Sequence, residues 1–113
     1  MTAAVYNLVI DQGSDFAINL TIKELGSIKN LTGYSARAQM RSSRSASNVA
    51  ATFTCTVLNP PTNGIVKMQL GNSASSGIAA GRYFYDLEIH TNADAVVRRL
   101  IQGEVTLNPE VTR

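Results

Sequence analysis

The chain has 113 residues, 44% of them apolar and only 16% charged, with a net charge of +2 and a single cysteine. That length suits one hydrophobic core and is short for two, so a single domain over residues 1–113 is expected. The slight basic bias comes without Lys/Arg blocks, which argues against nucleic-acid binding, and one cysteine cannot close an internal disulfide.

In chain order, AVYNLVID is a short apolar run closed by the turn-prone Asp11-Gln12-Gly13-Ser14, and DFAINLTIKE alternates Phe16, Ile18, Leu20 and Ile22 with Ala17, Asn19, Thr21 and Lys23. The pattern predicts two strands meeting in an antiparallel pair, the second of them half-buried. SARAQMRS sets Ala36, Ala38 and Met40 against Arg37, Gln39 and Arg41. Helix competes there, but the spacing of 2 rather than 3.6 favours a strand whose small inner residues let something bulky approach. SSRSASN (Ser42 to Asn48) reads as a polar loop. AATFTCTVL turns Phe53, Cys55 and Val57 one way and three threonines the other, and NPPTNG links it to IVKMQL as a β-hairpin. GNSASSGIAAG has room for one helical turn and delivers the chain into RYFYDLEIH. A polar turn, TNAD, and the segment AVVRRLIQGEVTL complete a second hairpin, and Pro109 stops the ladder. Seven or eight short strands with one helical turn make an all-β chain, a sandwich or, alternatively, a small barrel.

Chemistry-bearing residues are few. His90 is the only histidine, at a strand end, and any Ser-His-Asp or Cys-His arrangement would need it. A solvated strand-end histidine is the expectation, and Cys55, sharing a face with Phe53 and Val57, reads as a small core residue rather than a nucleophile. No second cysteine or histidine stands at metal-ligand spacing, the acids form no calcium loop, and Gly77 and Gly81 do not make a phosphate cradle, so no cofactor, metal or small-molecule substrate is expected. The Arg98-Arg99 pair in a strand is expected to meet acids such as Asp86 and Glu88 on the preceding strand. Arg37, Arg41 and Arg44 read as a solvated face, with a small basic patch as the alternative.

RYFYDLEIH raises one problem. If Tyr83, Tyr85, Leu87 and Ile89 share the core face, then Arg82, Phe84, Asp86, Glu88 and His90 point outward, and an outward phenylalanine needs a cover. It lies under a loop or in solvent, or it anchors a protein contact with Arg82, Asp86 and Glu88 as its polar rim. The end of the chain, Pro109, Glu110, Val111, Thr112 and Arg113, is an extended polar tail expected to lie on a neighbouring subunit.

YNLVIDQGSDFAINLTIK, NLTGYSARAQMR, AAGRYFYDLEIH and RRLIQGEVTLNPEVTR, in this order, resemble a family of small tailed-bacteriophage virion proteins related to the N-terminal domain of the phage upper baseplate protein. The resemblance spans nearly the whole chain. Its motifs are the polar turn Asp11 to Asp15, Leu31-Thr32-Gly33-Tyr34, Ala80-Gly81-x-Tyr83-x-Tyr85-Asp86-Leu87 and the closing Pro109-Glu110-Val111-Thr112-Arg113. It implies an immunoglobulin-like antiparallel β-sandwich and a non-enzymatic structural role in the virion, as an assembly adaptor of tail or baseplate or, alternatively, as a capsid decoration protein. The implied partners are other virion proteins and copies of the chain itself. Residues alone leave a second class open, a carbohydrate-binding β-sandwich using Tyr34, Tyr83 or Phe84. A leader sequence is not evident and no apolar run approaches the roughly 20 residues of a membrane span, so synthesis in a cytosol is expected, and the resemblance implies the virion as the final location.

Overall fold

The computed structural model describes residues 4–24, 26–91 and 95–111, and the chain is all-β. Its elements are β1 (Ala4–Val5), β2 (Leu8–Asp11), β3 (Phe16–Thr21), β4 (Lys23–Glu24), β5 (Ser27–Ile28), β6 (Ser35–Arg41), β7 (Ala51–Val57), a 3-10 turn (Pro61–Asn63), β8 (Ile65–Leu70), a single helical turn α1 (Asn72–Ser76), β9 (Gly81–His90) and β10 (Val97–Asn108). One sheet runs in the order β1-β10-β9-β6-β7-β8-β3, with β2 also on β10, while β4 and β5 form a separate small ribbon.

The sheet turns its corner at β7. Ala51 to Phe53 pair with β6, whereas Thr54 to Val57 pair with β8, so one strand serves both halves of the curled sheet. The inner faces thereby meet around a common core. Leu8, Ile10, Leu20, Met40, Phe53, Met68, Leu87, Ile89 and Val105 lie in it, and Phe53 links the halves through ring contacts with Phe16 at 6.2 Å and Tyr85 at 6.3 Å. Ala38 sits directly opposite Phe53, which explains the small residue on that face.

The alternation expected for β3, β6, β7 and β9 is present, as are the polar loop after β6, the β7–β8 hairpin and the helical turn at 72–76. The expected TNAD turn lies at residues 92–94 outside the described residues. The start of the chain differs from expectation. AVYNLVID is broken into β1 and β2, and both run parallel to β10 rather than pairing antiparallel with β3, whose partner is β8. Local chemistry accounts for the break. At Gly103 a Cβ would collide with the Tyr6 carbonyl, so the chain approaches β10 closely there. The Asn7 side chain then accepts the Glu104 N–H at 3.0 Å in place of a backbone carbonyl. Tyr85, reaching across the core, donates its hydroxyl to the Tyr6 carbonyl, so the polar group exposed by the break is satisfied. The turn after β2 is a crossover between the halves rather than a hairpin. It is held to α1 by the buried Ser75, which donates to the Ser14 carbonyl at 2.9 Å and accepts from Gly13 at 3.1 Å.

Candidate functional site

The outer face of β6, β9 and β10 carries a set of paired charges around one phenylalanine. Strand register sets the rows: Arg41, Phe84 and Glu104 lie side by side, then Gln39, Asp86 and Gln102, then Arg37, Glu88 and Arg99. Side chains directly opposite or diagonal on adjacent strands are within reach of one another, and the charges pair accordingly. Arg37 Nε lies 2.9 Å from Glu88 Oε1, Arg99 Nε 3.1 Å from Asp86 Oδ2, and Arg82 Nε 3.9 Å from Glu104 Oε2. Of the Arg98-Arg99 pair, Arg99 thus meets Asp86 as expected, whereas Glu88 takes Arg37 from the other side. β10 bulges between Arg99 and Ile101, which lets the consecutive Leu100 and Ile101 both enter the core.

Phe84 points outward from this face and is half-buried. Its cover comes from the loop after β6. Arg41 Nη1 donates to the carbonyls of Ala46 and Ser47, both at 2.9 Å, and its Nη2 donates to Gln39 Oε1 at 3.1 Å. These bonds fold the loop back over the sheet and bring the Arg44 guanidinium to 5.5 Å from the centre of the Phe84 ring, a cation–π distance. Around the stacked pair lies an open groove of about 630 Å³, floored by Phe84 and Asp86 and walled by Arg37, Arg44, Arg99 and Gln102.

The groove holds guanidinium, carboxylate and amide groups around the Phe84 ring. His90 stands at the end of the same outward row, with Nδ1 3.4 Å from the Thr91 carbonyl. Cys55 lies on the inner face opposite the buried Met68 and packs against the core, whereas His90 belongs to the outward row. Burial pushes the Cys55 thiol up to about 11, which keeps it protonated near neutral pH. Tyr85 is also pushed upward, first by burial and then by the neighbouring Tyr6, so its hydroxyl stays a donor. Among the described residues no cluster of three or more His, Cys, Asp or Glu is placed to hold a metal, and no helix is long and apolar enough to cross a membrane.

The tail differs in part from the free segment expected. Pro109 and Val111 are exposed, the latter at 90%, but Glu110 is half-buried and tied to its own chain. Its N–H donates to Gln12 Oε1 at 2.9 Å, while Gln12 Nε2 donates to the Ile78 carbonyl at 2.8 Å. Its carboxylate lies over Gly13, in space that a side chain at that position would fill. Thr112 and Arg113 lie outside the described residues. The structure therefore gathers Arg82, Phe84, Asp86 and Glu88 on one face and adds Arg37, Gln39, Arg41 and Arg44 to them. The arginines were visible as a possible patch, but the loop fold that seats Arg44 on Phe84 has no periodicity to betray it.

No protein-family model matches the chain, and no curated protein sequence matches it. Among solved structures it is similar to InlP of Listeria monocytogenes, at 16% identity and a TM-score of 0.50 over 91% of this chain and 26% of that one. It also overlaps the cysteine protease inhibitor EhICP2 of Entamoeba histolytica, at 16% identity and a TM-score of 0.47 over 92% of this chain and 85% of that one. The chain thus spans about a quarter of InlP, and at this identity the likeness speaks to the fold alone.

Proposed function

We propose that this chain is a non-enzymatic bacteriophage virion protein with an immunoglobulin-like β-sandwich, working as an assembly adaptor in the tail or baseplate. The reading rests on the ordered motifs that resemble the upper baseplate family and, in the structure, on one observation: an outward Phe84 in a groove lined by Arg37, Arg44, Asp86, Glu88 and Arg99. Arginine and aromatic side chains are the groups that carry most of the energy at protein interfaces, and the paired charges around them give register and exclude the wrong partner. The groove is the docking face, with another virion protein as its occupant.

Replacing Phe84 by Asp is expected to leave a folded, soluble protein with an unchanged far-UV spectrum that no longer enters particles. Normal incorporation of that variant would move the contact elsewhere, and unfolding would make the site part of the core. Mass spectrometry of purified particles, with the position of the subunit in a particle map, separates tail or baseplate from a decorating place on the head. The same groove gives a second reading some footing, because an aromatic floor with Asp86, Gln39 and Gln102 beside it also fits a sugar ring. Binding of the isolated chain to a glycan array, lost in Phe84→Ala, is the outcome that favours it.

A further inference from the structure

The two ends of the main sheet are unlike. At one end β1 and β2 are interrupted at Tyr6 and Asn7, where a side chain replaces the backbone acceptor, so no continuous row of backbone groups faces outward. At the other end β3 is an unbroken strand of six residues, Phe16–Thr21, paired among the described residues only with β8 and carrying neither a charge nor a proline. Natural edge strands are commonly blunted by lysine, proline or a bulge, and β3 has none of these.

The direction of its backbone groups follows from the ladder. Ile22 donates its N–H to the Gly64 carbonyl and accepts from Lys29 with its own carbonyl, so its backbone points toward the β8 side. Successive residues alternate, which places the N–H and C=O of Ala17, Asn19 and Thr21 on the open edge. Their side chains belong to the exposed row Asp15, Ala17, Asn19, Thr21 and Lys23, while Phe16, Ile18, Leu20 and Ile22 form the inner row.

This row is self-complementary. In an antiparallel pairing of two copies about a two-fold axis through Asn19, Ala17 faces Thr21 of the other copy and Asp15, whose Oδ1 accepts the Asn72 N–H at 2.8 Å and whose second oxygen remains available, lies across from Lys23, so opposite charges come together at both ends. On the inner side Ile18 faces Leu20 and Phe16 faces Ile22, apolar against apolar. Phe16 and Ile18 are only partly buried in one copy, and a continuing sheet covers them. We infer that the β3 edge pairs with the same edge of a second copy, centred on Asn19, to give a homodimer with one sheet running through both subunits. The pairing uses backbone donors and acceptors that β8 leaves open, and its isologous symmetry closes the assembly at two. It is independent of what occupies the Phe84 groove.

Sedimentation of the 113-residue chain over a concentration series is expected to show a monomer–dimer equilibrium. In a Cys55→Ala background, Asn19→Cys is expected to form a disulfide-linked dimer readily, since hydrogen-bonded opposite residues stand with Cα atoms about 5.5 Å apart, inside the range a disulfide spans. Ala17→Cys, whose partner is Thr21 rather than itself, should cross-link far more slowly alone and quickly when mixed with Thr21→Cys. Lys23→Glu, placing carboxylates opposite Asp15 at both ends, should weaken dimerisation several-fold without changing the far-UV spectrum. A monomer at every concentration, equal cross-linking of Asn19→Cys and Ala17→Cys alone, or a dimer indifferent to Lys23→Glu would overturn the inference.

Discussion

On its inner face β9 buries Tyr85, Leu87 and Ile89 almost completely, and on its outer face the alternating Phe84, Asp86 and Glu88 are half-buried among arginines. The backbone is shared, so the difference lies in what each side chain meets. Inside, apolar area removed from water at close packing supplies the stabilisation, and the neighbours have nowhere to move. Outside, ion pairs with roughly a quarter to half of their side-chain surface in water supply little each, on the order of 0.2 to 1 kcal/mol. One strand thus holds the fold together with half of its residues and keeps the other half at the surface.

Substitutions on the inner side should cost most. Leu87→Ala removes a side chain with 0% exposure and should cost about 2 to 5 kcal/mol in denaturant unfolding. Tyr85→Asp should prevent folding, because it buries a carboxylate and strips the Tyr6 carbonyl of its donor. A change of less than about 0.5 kcal/mol at Leu87 would mean that the face assignment is inverted. Next comes Gly103, opposite Tyr85 in the ladder. An alanine there meets the Tyr6 backbone, and the strain is expected to cost about 1 to 3 kcal/mol. A neutral Gly103→Ala would show that β1 and β2 can drift from β10 without loss.

These two positions mark the limit of what the sequence allows a reader to see. Leu87 was legible because its row alternates in a single continuous segment, as were the outward Phe84, Asp86 and Glu88. The break at Tyr6 and Asn7 was not, since it depends on a glycine nearly a hundred residues away and on an amide side chain standing in for a backbone group. Parallel pairing of the two ends of the chain leaves no turn signal between the partners. The cover over Phe84 was hidden for a related reason. Ser42 to Asn48 announces a loop, but its direction is set by Arg41 gripping the Ala46 and Ser47 carbonyls, a contact among residues that share no period.

Titration with alkali tests the core side. The Cys55 thiol is raised from 9.0 to about 11 in the folded protein by burial. The unfolded chain therefore loses this proton first as pH rises, so the contribution to stability is complete below about pH 9 and is lost between about 9 and 11. Tyr85, shifted in the same direction, adds a loss that begins near its ordinary value of 10.0. Melting temperature should consequently fall on the alkaline side, and Cys55→Ala should remove the earlier part of that fall. An identical alkaline profile in Cys55→Ala would show that the thiol is as solvated in the folded chain as in the unfolded one.

The smallest effect, and the one that bears most directly on the proposed docking face, concerns Arg44. Its guanidinium lies over Phe84 at the rim of the groove, where water screens the contact, so the pair should be worth about 0.5 to 1 kcal/mol. Arg44→Ala should thus leave melting almost unmoved while uncovering the ring, and Phe84→Ala should do little more. The informative quantity is the coupling between them. If the ring and the guanidinium act on each other, the double variant costs less than the sum of the two single ones by that same amount. Arg41→Ala then separates contact from loop. By releasing the Ala46 and Ser47 carbonyls it frees the segment that carries Arg44, so the Arg44–Phe84 coupling measured in that background should vanish. A coupling that survives without Arg41 would mean the loop finds Phe84 unaided, and strictly additive single variants would mean that the ring stands open to a partner from the start.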